Sequence, residues 1–272
     1  MALRTSPREL ARVLEEDPEL AELLDPSQLA RANELALART LRLSPGEWPP
    51  FTRPDTPLLG LLVLEGLLGN RVALRERSHL ELVGPGDLLR PWVGLGAGAS
   101  QPVQVKWRAF ADSRLAVLDR RFSAAIRDFP EIHEVLSDRF VLRARRLGFQ
   151  LAVNSIVGVP ERVLIVLWHY ADRWGHVTRE GITLDLPLSH QDLADVVGSS
   201  RPTVTSALTE LRHDGRIEIR PGEWLLLGSA PARFAELHEA GGIQCSGDGR
   251  LAGSRLSEAW RQPDAREDEP PV

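Results

Sequence analysis

The spacing of apolar residues changes several times along the chain, and each change predicts a different kind of element. In residues 1–45 apolar positions recur at helical spacing behind successive prolines, which predicts helices over 7–14, 18–24 and 26–41 and so a helical N-terminal extension. From residue 46 the runs shorten and are bounded by glycine and proline, predicting strands over 58–64, 71–74, 80–83, 103–111 and 114–118. Short strands of this kind point to a β-barrel or sandwich. Within VQVKWRA, Val103, Val105, Trp107 and Ala109 fall on one face, and Gln104, Lys106 and Arg108 on the other.

A long helical run follows, from Pro130 to about Ile156. Its first apolar seam, Ile132, Val135, Leu142, Phe149 and Ile156, is interrupted by Arg139 and Arg146. A second stripe of Leu136, Phe140, Leu147 and Leu151 is broken by Arg143. A helix that packs both on its own barrel and on a second copy of itself needs two stripes, so this run is read as a dimerisation helix.

Residues 188–211, LSHQDLADVVGSSRPTVTSALTEL, predict two short helices joined by a sharp turn. Ser189 is an N-cap, because its hydroxyl can accept from an otherwise unpaired N–H of the first turn. Leu193 and Val196 lie three apart on the apolar face of the first helix. Gly198 stands at the turn, where a left-handed conformation is free of steric cost only for glycine. Ser200 caps the second helix, Pro202 is tolerated in its first turn, and Val204, Leu208 and Leu211 form its buried stripe. This is the pattern of a helix-turn-helix.

Its surroundings agree with that reading. After Gly215, Ile217 and Ile219 alternate with Glu218 and Arg220, Pro221-Gly222 marks a turn, and residues 224–227 return as an apolar strand, giving a β-hairpin wing. Ile182, Leu184 and Leu186 predict a third strand for it. A supporting helix over 161–174 buries Val163, Leu164, Leu167 and Ala171.

With Val204, Ala207, Leu208 and Leu211 inside, the second helix presents Arg201, Thr203, Thr205, Ser206 and Thr209. Such a small polar face fits the major groove, where arginine bidentate to guanine is the commonest specific contact, so Arg201 is the candidate for base readout. Ser200 and Thr203 combine hydroxyls with free N–H groups and suit a phosphate oxygen. Ser189, His190 and Gln191 open the first helix, which in such motifs crosses the DNA backbone. Thr205 and Ser206 complete the DNA-binding set.

Charge limits the breadth of this activity. The chain of 272 residues carries a net charge of −5, and 188–227 holds Arg201, Arg212, Arg216 and Arg220 against Asp192, Asp195, Glu210, Asp214, Glu218 and Glu223. A general nucleic-acid coat or membrane-surface protein needs broad positive potential, so any DNA activity is local. With 43% hydrophobic and 26% charged residues the composition is that of a soluble globular protein. No apolar run is long enough for a membrane span and the acidic N-terminus is no signal peptide, so the expected location is cytoplasmic. Cys245 is the only cysteine and is read as an incidental thiol in a mobile tail. His79, His133, His169, His176, His190, His213 and His238 lack metal-ligand spacing, and no P-loop or nucleophile elbow occurs. The expectation is therefore no enzyme, no cofactor and no metal.

The order of small β domain, long helix and winged helix-turn-helix resembles the cyclic-AMP receptor and fumarate-nitrate reductase regulator (Crp/Fnr) family of transcription regulators. The likeness covers residues 46–228, is specific in QDLADVVGSSRPTVTSALTEL, and is weaker at LVGPGDLLRPW, which looks like the family's glycine-aspartate turn. It implies an α+β chain with an N-terminal cyclic-nucleotide-binding-like β-barrel, a long dimerisation helix and a C-terminal winged helix-turn-helix. The corresponding division is a helical extension at 1–45, a sensor-like barrel at 46–128, the dimerisation helix at 129–157, the DNA-binding domain at 158–228 and a partly disordered tail at 229–272. The partners implied are double-stranded DNA and a second copy, with the effector unidentified.

Two departures from the family pattern stand out. Arg90, Pro91 and Trp92, and later Val103 and Gln104, occupy positions where the family's nucleotide binders hold ribose and phosphate, so the usual cyclic-AMP mode is not expected. Arg90 and Arg108 are candidates for another anionic effector, against a solvated barrel rim, and Gly94 to Gly98 reads as connection. In the second helix Pro202 and Ser206 replace the family's familiar glutamate and arginine, so the DNA target should differ. The alternatives are a haem- or other small-ligand-responsive regulator of the same family, for which His79 is a candidate ligand, and a protein-interaction adaptor that has lost DNA binding.

Overall fold

A computed structural model describes residues 9–48, 59–74, 77–91 and 104–234. Trp92, Gly94 to Gly98, Val103, Cys245 and His238, with most of the expected tail, lie outside the described residues. The chain forms two compact units, Met1–Gly148 and Phe149–Val272.

The first unit begins with β1 (Leu10–Arg12), α1 (Val13–Glu16), one 3-10 turn at Pro18–Ala21, α2 (Pro26–Leu35), β2 (Leu37–Leu43) and β3 (Gly46–Trp48). It continues through β4 (Gly60–Glu65), β5 (Leu68–Leu74), β6 (Arg77–Val83), β7 (Leu88–Leu89), β8 (Gln104–Ala109), β9 (Ser113–Leu118), α3 (Arg120–Ala125) and α4 (Pro130–Asn154), of which Phe149 to Asn154 belong to the second unit. Two sheets form, ordered β1-β2-β9-β4-β7 and β3-β8-β5-β6. One core joins their side chains: Leu41, Leu61, Val63, Leu89 and Leu115 from the first, Trp48, Leu68, Val83, Trp107 and Ala109 from the second. Trp48 and Trp107 meet edge to face with ring centroids 6.0 Å apart.

The five-stranded sheet is covered on its other face as well. Leu62, Leu64, Leu88, Ala116 and Leu118 pack with Val13, Leu14, Ala32, Phe122, Ile126, Ile132 and Leu136 from the surrounding helices. That double burial is why β4 reads as an unbroken apolar run instead of an alternating one.

The N-terminal expectation is corrected here. The helix expected over 26–41 starts on cue, since Asp25 accepts from the N–H groups of Ser27 and Gln28 while its own N–H donates to Gln28 Oε1. It stops at Leu35, and Leu37–Leu43 is a strand between β1 and β9. Leu, Ala and Arg favour helix locally, but Leu37 to Arg39 pair with β1 and Arg39 to Leu43 with β9, and tertiary pairing overrides propensity. Of the helix expected over 7–14, Leu10–Arg12 is a strand paired with β2 and Val13–Glu16 a short helix, and of that expected over 18–24 a 3-10 turn at Pro18–Ala21 remains. Residues 9–45 therefore combine short helices with two strands of the sheet and are not a purely helical extension. In β8 the apolar face is shorter than expected: Trp107 and Ala109 are buried, whereas Val105, outside the shared core, is exposed.

The arginines that interrupt the seams of α4 have an explanation. Spaced four and three apart, Arg139, Arg143 and Arg146 share one helix face and bind carboxylates of the first unit. Arg139 reaches Asp17 at 3.0 Å, Glu19 at 2.7 Å and the Gly86 carbonyl at 3.1 Å. Arg143 grips Glu81 with two bonds of 2.6 and 2.7 Å, and Arg146 pairs with Asp87. Desolvation works against the Arg143 charge, but its bonds to Glu81 outweigh it and raise its pKa. For Asp17 and Glu19 burial is the larger effect and raises both pKa values against the pull of Arg139. No helix among the described residues is long and apolar enough to cross a membrane.

Candidate nucleic-acid interface

The second unit is built on α5 (Val159–Trp174), which buries Val163, Leu164, Leu167 and Ala171 as expected, with Ile165, Val166, Trp168 and Tyr170 besides. Then come β10 (His176–Val177), β11 (Ile182–Leu184), α6 (His190–Val197), α7 (Arg201–His213), β12 (Ile217–Arg220) and β13 (Glu223–Leu226). The strands form one sheet, ordered β10-β11-β13-β12, so the hairpin does gain β11 as a third strand, with the unforeseen β10 at its edge. Trp224 Nε1 donates to Leu186 O at 2.9 Å and ties the hairpin to the segment entering α6.

Each expected cap is present. Ser189 Oγ accepts from Asp192 N at 3.1 Å and donates to the Asp192 carboxylate at 2.6 Å, and Ser189 N donates back to that carboxylate at 3.0 Å. The hydroxyl of Ser189 is thus committed to the cap, beside a negative charge. Gly198 adopts the left-handed conformation with φ +61°. Ser200 Oγ accepts from Thr203 N at 3.3 Å and lies 2.7 Å from Thr203 Oγ1. Leu193 and Val196 in α6, and Val204, Ala207, Leu208 and Leu211 in α7, are buried.

The turn between the two helices is also held from outside. Gln150 Nε2 donates to Val196 O at 3.0 Å and Arg162 donates to Val197 O at 2.9 Å, so two orphan carbonyls at the end of α6 find partners. Neither residue was singled out in the sequence. Their partners lie 46 and 35 residues away, beyond any local motif.

On the exposed side, Arg201, Thr203, Thr205, Ser206 and Thr209 all face solvent. Arg201 has no ion-pair partner among the described residues and stands in the first turn, where the free N–H groups of α7 add positive potential. Thr205 Oγ1 donates to Arg201 O, Ser206 Oγ to Pro202 O and Thr209 Oγ1 to Thr205 O, at 3.0, 3.3 and 3.0 Å. His190, half-buried at the start of α6, places Nδ1 2.9 Å from Thr205 Oγ1 and so joins the two helices. Gln191 is exposed and donates to Asp195 at 3.0 Å.

The wing has a different character. Arg220 is enclosed by Glu180 at 2.6 Å, Glu218 at 3.1 Å and Glu223 at 3.8 Å, and its bonds to Glu180 and Glu218 raise its pKa. Its charge is neutralised locally, whereas Arg212, exposed near the end of α7, has no ion-pair partner among the described residues. Two of the arginines without an ion-pair partner among the described residues, Arg201 and Arg212, lie on α7, which gives an acidic module a local positive charge there.

The two effector candidates belong to the first unit. Arg90, just after β7, donates from Nε to Leu59 O at 2.6 Å and lies 5.2 Å from the centre of the Phe140 ring. Arg108, on β8 of the other sheet, lies 5.0 Å from the Phe110 ring centre. Each cation is laid over an aromatic face of its own.

Residues 161–228 match the family model of the Crp-like helix-turn-helix domain. A CRP-like cAMP-activated global transcriptional regulator of Mycobacterium tuberculosis is 31% identical over 155 residues, covering 56% of this chain and 67% of that protein. The cyclic AMP receptor protein of Thermus thermophilus is 29% identical over 185 residues, covering 66% and 81%. Among solved structures, a CooA variant from Carboxydothermus hydrogenoformans superposes with a TM-score of 0.54 at 20% identity, covering 82% of this chain and 94% of that one. That likeness supports the expected fold: a cyclic-nucleotide-binding-like β domain, a long helix and a winged helix-turn-helix.

Proposed function

Since the chain belongs to the Crp/Fnr family of DNA-binding transcription regulators, whose members are not enzymes, we propose that it acts as a homodimer on a pseudo-palindromic DNA site with α7 in the major groove. The observation that carries this reading is Arg201: exposed, without an ion-pair partner among the described residues, and held at the start of a helix capped by Ser200. Arg201 reads guanine, Ser200, Thr203, His190 and Gln191 position the helix on phosphates, and Thr205 and Ser206 complete the surface facing the bases. Ser189 acts in the set through its cap. Pro202 and Ser206 make the target differ from the family's familiar one.

A second copy binds along α4. Val141 and Leu151 are 49% and 73% exposed on that helix, and Ala144 and Gly148 lie between them on the same side. A Cβ added at Gly148 would meet nothing within 4 Å, which leaves room for close helix approach. The face proposed for the partner is thus a third one, which shares only Leu151 with the two seams read from the sequence, while Arg139, Arg143 and Arg146 face the barrel.

The barrel acts as a sensor that departs from the nucleotide mode. The two relatives are named for cyclic AMP, but here the glycine-aspartate turn is bound by Arg139 and Arg146, and Arg90 is held on Leu59 O and Phe140. The protein acts where its DNA is, in the cytoplasm.

Footprinting of the full chain on genomic fragments tests the reading. Protection of two symmetric half-sites centred about 34 Å apart is expected. Uniform coverage of all fragments, or a monomer in sedimentation at footprinting concentrations, would overturn it.

A further inference from the structure

Thr205 stands one turn beyond Arg201 on the exposed face of α7, and its hydroxyl is already engaged within the protein. A hydroxyl has a single hydrogen, and that of Thr205 is donated to Arg201 O at 3.0 Å. His190 Nδ1, 2.9 Å from the same oxygen, must therefore supply its own hydrogen. A helical threonine otherwise divides between two rotamers. Here one bond from the oxygen and one to it hold a single rotamer. Thr209 repeats the back-bond one turn later, donating to Thr205 O at 3.0 Å.

Thr205 consequently has no hydrogen to give a base edge; its oxygen, already carrying two bonds, keeps one lone pair, and the other feature that it offers is its methyl group. In the major groove the matching feature is the C5-methyl of thymine, which no other standard base carries. We infer that Thr205 is a specificity-determining residue that selects a thymine by apolar contact of its methyl group, and that His190 is the positioning residue that holds it so. This rests on the DNA-reading role proposed for α7.

The test enriches random-sequence duplexes on the full chain and then replaces each thymine of the selected half-site, one position at a time, by uracil, which pairs alike and lacks the methyl. At one thymine next to the guanine read by Arg201, wild type should lose about four-fold in affinity per half-site, the worth of one buried methyl. Thr205→Ser keeps the hydroxyl and drops the methyl, so it should bind the thymine and uracil duplexes equally. Thr205→Val keeps a methyl and should retain the preference. His190→Ala, which also gives up its phosphate contact, should weaken binding to every duplex and in addition shrink the thymine-to-uracil ratio; a general loss with that ratio intact would overturn the positioning role of His190. Equal binding of thymine and uracil duplexes by wild type at every position would overturn the inference and leave the DNA-reading role standing. Failure to enrich any sequence would overturn both.

Discussion

The side-chain amide of Gln150, near the end of α4, donates to the Val196 carbonyl in the last turn of α6 at 3.0 Å, in a bond buried from solvent. Removing the donor strands a buried carbonyl. Gln150→Leu should therefore destabilise the second unit by about 1–3 kcal/mol. Thermal unfolding checks this; an unchanged midpoint would mean that the carbonyl finds water instead.

Gly198 closes the same turn with φ +61°, and a Cβ there would come to 3.3 Å from Asn154 Nδ2. Gly198→Ala meets both the left-handed backbone penalty and that contact. A loss of about 1–2 kcal/mol is expected in urea unfolding, with weakened DNA binding because the turn sets the angle between α6 and α7.

Glu81 and Arg143 form a bidentate pair with side chains only 11% and 21% exposed. Glu81→Ala leaves the guanidinium partly buried without its counter-ion and should cost about 3 kcal/mol. Arg143→Ala strands the carboxylate in the same way, and the double replacement Glu81→Ala with Arg143→Ala removes both charges and should cost less than the sum of the two single losses. Denaturant midpoints of the two single variants and the double variant complete the cycle.

Arg201→Ala should lower binding to the selected site by about 1–3 kcal/mol and affect non-specific DNA far less. Competition titrations against scrambled duplex measure both. Equal loss on the two would mean that Arg201 contacts phosphate and not a base.

Burial holds the Asp17 carboxyl above its ordinary pKa despite Arg139. An acid whose folded pKa exceeds its unfolded one adds stability at low pH, and that contribution is lost as pH rises through the folded value. Between neutrality and about pH 4, the ordinary carboxylate range, acidification should therefore favour wild type relative to Asp17→Asn, which cannot titrate. Urea midpoints across that window check the sign. The opposite trend would show the pull of Arg139 outweighing burial.

The DNA-reading module was legible in the residues themselves because its signals are local. Ser189 and Ser200 cap, Gly198 turns and Val204, Leu208 and Leu211 pack, all within a few positions of one another. Only the tertiary structure decided the rest. Leu37–Leu43 reads as helix until β1 and β9 pair with it, and Arg139 reads as a flaw in a seam until Asp17, 122 residues away, meets it. His190 and Thr205, 15 residues apart, are two separate candidates until the turn folds one against the other. Periodicity and caps depend on neighbours within a turn or two of the chain. Ladder pairing, buried ion pairs and the final use of a hydroxyl depend on groups that only the folded backbone brings within bonding distance.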